Sequence, residues 1–485
     1  MRHLENPRIA SSWLQTIALI LSFLLLGTFS LLAQKNLKDE ELDKYLKILI
    51  DAQIESYDLT GISLAVQIPF EEPWMVASGF SNPVNNEVLL SDMAFNVASF
   101  TKTIIATMVF ILAEQGILEL DDPLSDWLPN YNYIDNSTTI RQLLSHTSGI
   151  DNYTAHSSFG ITLANDLEKL WTPEELIDAF VKSTSLHPGE RCEYSNTNYL
   201  LLGMILKEAS GKDVSVLLKE NIFEPLGMTN TCLPMEDSLP IYRVHGWEDL
   251  YGNGTLVDMS SAVQNSLWSM LSYCSGIFSD TFDMNTFLNA LFVDGSLISQ
   301  QSFNQMTTLA KATAKYGHGM EKYVSLEKTG WGHFGNNIGF SSAIFHFPED
   351  GLNISLLINQ RPVEEIEKIL DEIMEITLQY LSTSTGPEIG TTVSSVMHQN
   401  YPNPFNNNTE IEFDLANNDV VSLKIFDTSG RLTRTLIDSE NLATGHHFVN
   451  WNGENQNGEI LTPGIYFYQM STSQGIETKR CLKIK

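Results

Sequence analysis

The run Phe95-Asn96-Val97-Ala98-Ser99-Phe100-Thr101-Lys102-Thr103-Ile104-Ile105-Ala106 holds a serine and a lysine three positions apart. At the start of an apolar helical stretch that spacing puts both side chains on one face. The serine then sits at the helix N-terminus, where unpaired backbone N–H groups favour negative charge. A lysine held beside it, desolvated and near other positive groups, loses its proton near neutral pH and can act as base toward the hydroxyl. That is the chemistry of a serine hydrolase that becomes acylated.

The four-residue pattern alone is not specific, because it arises readily by chance in a long chain. A second copy, Ser325-Leu326-Glu327-Lys328, stands in an alternating, strand-like stretch. Residues three apart on a strand face opposite sides of a sheet, so this copy reads as a solvated strand surface.

Elements able to position Ser99 and Lys102 are legible around them. Helical periodicity marks 38–55, 103–115, 173–182, 199–210 and 364–381, and strand-like runs cover 61–68, 75–78, 341–347 and 353–358. Strands at both ends with helices between them predict an α/β (α+β) domain over 37–381. Its antiparallel sheet is closed by the two termini, is flanked by helices and carries an inserted helical region. Residues 382–396 are small and polar and read as a linker. Strand-like runs at 409–415, 420–426 and 464–470, separated by Gly and Asn turns, predict an all-β sandwich over 397–485.

The segment 95–106 resembles the nucleophile segment of the serine β-lactamase-related family, which includes class C β-lactamases, D-Ala-D-Ala carboxypeptidases and esterases. The resemblance continues in order through 116–129, 140–149, His187-Pro188-Gly189, Tyr194-Ser195-Asn196, 222–228 and Gly332-His333-Phe334-Gly335-Asn336. It implies an exported serine hydrolase that works through an acyl-enzyme on an ester, amide or peptide bond, with no metal or organic cofactor. Ser99 would attack the carbonyl, and Lys102 and Tyr194 would relay its proton, the phenol's pKa lowered by nearby positive charge. Asn196 would hold both Lys102 and the substrate carbonyl. His333 and Gly335 would line the cleft, and the N–H groups of Asn336 and Ser99 would form the oxyanion hole.

Phe334 departs from the family pattern, where a threonine or serine hydroxyl helps to hold a substrate carboxylate. A site lacking that donor discriminates poorly in favour of carboxylates. Esters, amides or D-amino-acid peptides are therefore expected ahead of β-lactams and D-Ala-D-Ala peptides. The alternative is a non-hydrolytic surface protein that binds cell-wall peptides or β-lactams. His146 reads as a structural loop histidine, 275–283 as a helix-capping segment, and His318 as a strand residue near the cleft. His446-His447 reads as a poor metal site with no third ligand nearby.

The last 90 or so residues, with Tyr401-Pro402-Asn403-Pro404-Phe405, Gly430-Arg431 and Pro463-Gly464-Ile465-Tyr466, resemble the C-terminal sorting domain of the type IX secretion system. That resemblance implies a partnership with the secretion machinery and a secreted or cell-surface location. Residues 1–33, with Arg2 and Arg8 ahead of an apolar run to Ala33, read as a signal peptide, although the run is long enough to anchor. A formal charge of −31 repels nucleic acid. Four cysteines are too few for a disulfide scaffold but permit one bridge.

Overall fold

The computed structural model describes residues 42–383 and 395–484, apart from 70, 167, 184–187, 235–241, 261–263, 312–313, 362, 399, 401–402, 404, 416, 428–430 and 474. The proposed signal peptide, most of the linker, His187 and part of the Tyr401–Phe405 motif lie outside the described residues.

In the large domain α1 (Leu42–Tyr57) precedes β1 (Gly61–Gln67), β2 (Trp74–Asn82) and β3 (Glu87–Val88). The helices used below are α2 (Thr101–Glu114), α3 (Asn196–Ser210), α4 (Gln264–Ser275) and α5 (Thr281–Leu288). Then come β4 (Glu321–Ser325), β5 (Lys328–Asn337), β6 (Phe340–Phe347), β7 (Leu352–Ile358) and α6 (Ile366–Thr383). The strands form one seven-stranded sheet in the order β3-β2-β1-β7-β6-β5-β4. β1 pairs antiparallel with β7, Ile62 opposite Ile358, so the two ends of the domain close the sheet as predicted.

Both faces of that sheet are covered, which is why β6 and β7 are buried along their whole length. On one face α1 presents Leu42, Leu46, Leu49 and Ile50, a stripe at helical spacing, and packs with α6 over Phe345, Leu356 and Ile358. The other face carries the larger core. There α2 is buried from Thr101 to Leu112, apolar on every side and enclosed by protein. A helix so enclosed fixes Lys102 in its first turn and anchors the short turn before it that carries Ser99.

The second copy of the Ser-x-x-Lys pattern is a hairpin closure, not a continuous strand face. Ser325 pairs with Lys328 across Leu326 and Glu327, which both take positive φ (47° and 65°). Leu-Glu lacks the Asn-Gly signature of such a turn, so the sequence concealed it. Ser325 donates to Asp371 at 2.6 Å and Lys328 pairs with Asp350 at 3.2 Å, which leaves neither near Ser99.

The C-terminal region is all-β, in separate sheets. Its strands are β8 (Val396–Met397), β9 (Thr409–Leu415), β10 (Asp419–Asp427), β11 (Leu432–Leu442), β12 (Gly445–Trp451), β13 (Gly464–Thr472) and β14 (Gly475–Lys483). One sheet runs β8-β9-β12 and the other β11-β10-β13-β14. Inward-facing Ile411, Phe413, Leu423, Ile425, Trp451 and Tyr468 form their common core. None of the four cysteines of the chain is disulfide-bonded.

Candidate active site

Ser99 lies in a 3-10 turn, Ala98–Phe100, that runs directly into α2. The residue before it, Ala98, takes a left-handed conformation with φ 50°, strained for a residue with a Cβ. Asn96 Oδ1 holds that turn by accepting from the Ala98 N–H at 3.0 Å. Gly335 of β5 packs on it so closely that a Cβ there would stand 2.7 Å from Ala98 Cβ and 2.1 Å from Ser342 Oγ. Ser342 in turn donates to Val97 O at 2.9 Å. Glycine is thus the residue that lets the strand meet the turn.

Lys102 is fully buried, and its Nζ donates to Ser99 Oγ at 3.1 Å and to Cys274 O, at the end of α4, at 2.7 Å. Burial lowers its pKa to about 8, while Cys274 and Glu321 act to raise it. Tyr194 reaches the same serine from the other side, its Oη donating to Ser99 Oγ at 2.9 Å, with Lys102 Nζ 4.8 Å from its ring centre. Contrary to the sequence expectation, the Tyr194 phenol is pushed well above its usual range. Desolvation outweighs the hydrogen bond to Ser99, and the nearby Glu321 opposes ionisation as well. The residue as a whole is 40 % exposed, and water at its edge moderates that rise. Tyr194 is therefore a neutral donor, and Lys102 is the group that can be a base near neutral pH.

Asn196 opens α3. Its Nδ2 donates to Thr154 Oγ1 at 2.8 Å, and its N–H donates to Asn152 Oδ1 at 3.1 Å. It does not hold Lys102 as expected, because the Cys274 carbonyl has taken that place. Asn196 Oδ1 is buried and has no hydrogen-bond partner among the described residues.

His333 is buried beneath the site instead of lining it openly. Its Nδ1 lies against Phe334 O and 3.6 Å from Glu321, and its Nε2 lies 3.2 Å from Tyr316 Oη. Burial and the charge of Lys102 lower its pKa to about 3, so the ring is neutral. Phe334 turns to the opposite face of the sheet, its ring 4.7 Å from that of Phe345 and 5.0 Å from that of Tyr323. No side-chain donor reaches the cleft from that position. The Phe334 N–H donates to Glu321 Oε2 at 3.3 Å, on the edge of β5 away from β6. Strand alternation directs the Asn336 N–H to the same edge, beside the turn that carries Ser99.

Glu321 was missed by sequence reasoning. It opens β4, opposite Gly332, and is held there under His333 with its pKa pushed up to about 7 by burial. Nothing local distinguishes it from other strand carboxylates. His146 is the structural residue expected. Its Nδ1 accepts from Ser195 N at 3.2 Å and lies 2.9 Å from Asn198 Nδ2, and its ring lies 4.4 Å from that of Tyr194. His318 faces elsewhere, in a loop lining a cavity of about 300 Å³ with Arg141, Gln142 and Gln305. In the segment 275–283 the helix cap is Asp280, which accepts from the Asp283 N–H at 2.8 Å.

The Beta-lactamase family pattern matches residues 46–378, more than two-thirds of the chain. The chain belongs to the Beta-lactamase family. It is a serine hydrolase of that family, with the β-lactamase/transpeptidase-like fold. Penicillin-binding protein 4* of Bacillus subtilis is 28% identical over 349 residues, 67% of this chain and 74% of that protein. The D-amino acid amidase of Ochrobactrum anthropi SV3, solved with D-phenylalanine, superposes with a TM-score of 0.62 at 27% identity. That match covers 70% of this chain and 99% of the amidase. A D-stereospecific amidohydrolase from Streptomyces sp. follows at 0.59 and 26%, covering 68% and 96%. Residues 403–475 match the FlgD Ig-like domain, a coarser description of the C-terminal region than the sorting domain the sequence suggested.

Proposed function

We propose that this family member is an exported amide or peptide hydrolase with Ser99 as nucleophile, Lys102 as general base and Tyr194 as proton donor. The observation that carries the reading is one serine oxygen shared between Lys102 Nζ at 3.1 Å and Tyr194 Oη at 2.9 Å. With a pKa of about 8, about a tenth of Lys102 is neutral at pH 7, enough for a base in fast equilibrium. Neutral Lys102 accepts the Ser99 proton as Oγ bonds to the substrate carbonyl carbon. The Ser99 and Asn336 N–H groups stabilise the oxygen that becomes negative. Tyr194 passes its proton to the departing nitrogen and recovers one from protonated Lys102, which leaves the lysine neutral again. Water, deprotonated by the same lysine, then releases the acyl group.

Substrates of the D-amino-acid amide or short D-peptide type fit best. The likeness to a D-amino acid amidase and a D-stereospecific amidohydrolase supports this. Phe334, turned to the far side of the sheet, leaves no hydroxyl there for a substrate carboxylate. β-Lactams and peptides ending in D-Ala-D-Ala are accordingly poor candidates. Export is supported by the apolar run to Ala33 and by the resemblance of the last 90 or so residues to a type IX sorting domain.

The test is intact-mass spectrometry before and after a fluorophosphonate probe, with Ser99→Ala alongside, followed by a panel of D- and L-amino-acid amides, esters and β-lactams. One probe-sized increase in the native protein, absent from Ser99→Ala, with turnover fastest on D-amides, is expected. An unlabelled native protein would overturn the nucleophile assignment. Labelling with preference for β-lactams would overturn the substrate class.

A further inference from the structure

We propose a divalent transition-metal site in the C-terminal region, built from His398, Asp414 and His446. The pair His446-His447 has no third donor nearby in sequence, which is why it read as a poor site. Folding supplies two more, because β8, β9 and β12 lie side by side.

Register places the donors. Asp414 of β9 stands directly opposite His446 of β12, and opposite Val396 of β8 on its other side. Just beyond β8, the His398 N–H donates to Glu412 O at 2.8 Å, which sets that residue beside β9 as well. Alternation along β9 turns Ile411, Phe413 and Leu415 into the core and leaves Glu412 and Asp414 on the outer face. His398 Nε2 lies 2.6 Å from one Asp414 oxygen and His446 Nδ1 lies 3.0 Å from the other. The three donor atoms fall within 4.8 Å of one another. Tetrahedral ligands bound at about 2.0–2.2 Å stand about 3.4 Å apart, so side-chain rotations that lengthen the two His–Asp contacts and draw the imidazoles together bring all three onto one ion. Glu412 Oε2, 3.7 Å from His446 Nε2, adds a second carboxylate at the rim.

Two imidazoles and a carboxylate select zinc, nickel or copper over calcium and magnesium, which take all-oxygen sites. Binding exchanges the two His–Asp hydrogen bonds for three metal bonds. Each imidazole then carries its remaining proton on the ring nitrogen that faces away from the ion. A bound ion would tie the segment that opens this region to β9 and β12.

Zn²⁺ titrated into the full chain at pH 7.5 by calorimetry tests the site, with the His398→Gln/His446→Gln double variant and His447→Gln alongside. The native chain and His447→Gln should bind one equivalent in a saturable step that the double variant loses. No saturable step in the native chain, or the same step in the double variant, would overturn the proposal. A second measurement does not depend on the variants folding. Copper(II) added at one equivalent to the native chain should give an electron paramagnetic resonance spectrum split by two nitrogens, and a spectrum without nitrogen splitting would equally refute the site.

Discussion

At the scale of single residues the proposed chemistry turns on Lys102, because a buried lysine near pKa 8 can serve as a base as most surface lysines cannot. Its neutral form is the reactive one, so kcat/KM should rise with pH and level off above an apparent pKa of about 8. Below that point the rate should fall tenfold per pH unit, and a pH–rate profile on an amide substrate measures it. Burial pushes the Tyr194 phenol above its usual range, which favours a proton donor over a phenolate base. Its role as donor predicts that Tyr194→Phe lowers kcat on amides by about 100-fold or more. Esters with good leaving groups should be affected far less, because they need little protonation on departure. Equal losses on both, compared by steady-state kinetics, would refute the donor role.

Two contacts set the geometry at the scale of elements. β5 meets the nucleophile turn through Gly335, where a methyl group has no room. Gly335→Ala should displace that turn by a fraction of an ångström and lower kcat/KM by about 100-fold, since small misplacements of reacting groups are costly. Circular dichroism should show the fold retained. The other contact joins β4 to β5, where Glu321 accepts from the Phe334 N–H and its charge acts to raise the pKa of Lys102. Glu321→Gln keeps the shape and removes the charge. The acid limb of the pH–rate profile should therefore move to lower pH, an effect that a purely structural role for Glu321 would not produce.

For the whole molecule, buried titratable groups set how stability depends on pH. His146, His318, His333 and His346 are all held below the usual imidazole pKa, chiefly by burial, at about 4, 3 and 4 for the last three. In the unfolded chain each takes up a proton as pH falls below about 6.5. Glu321 and Asp283 are raised to about 7 and act in the opposite sense, holding a proton in the fold that they lose on unfolding above about pH 4.3. Between about pH 4.5 and 6 these four histidines together outweigh Glu321 and Asp283, so this set of buried groups makes stability rise with pH. Urea midpoints measured across that window should climb, and a flat or falling series would contradict the balance.

The sequence by itself determined what depends on neighbours along the chain. Three-residue spacing on a helical turn placed Lys102 against Ser99, and alternation turned Phe334 away from Gly335 and His333. The hydrophobic patterns of 61–68 and 353–358 carried enough information to foresee a sheet closed by both ends of the domain. Tertiary structure decided the partners and the electrostatics. The carbonyl that holds Lys102 comes from Cys274, 172 residues away. Asn196 was expected to hold that lysine and found Thr154 instead. Glu321 gained its place only when β4 paired with β5, and His446 met Asp414 and His398 only when three strands came together. Tyr194 was expected to become acidic beside a cation, but desolvation reversed the direction. The loss of water around a side chain is a property of the packed interior, and no spacing in the chain encodes it directly.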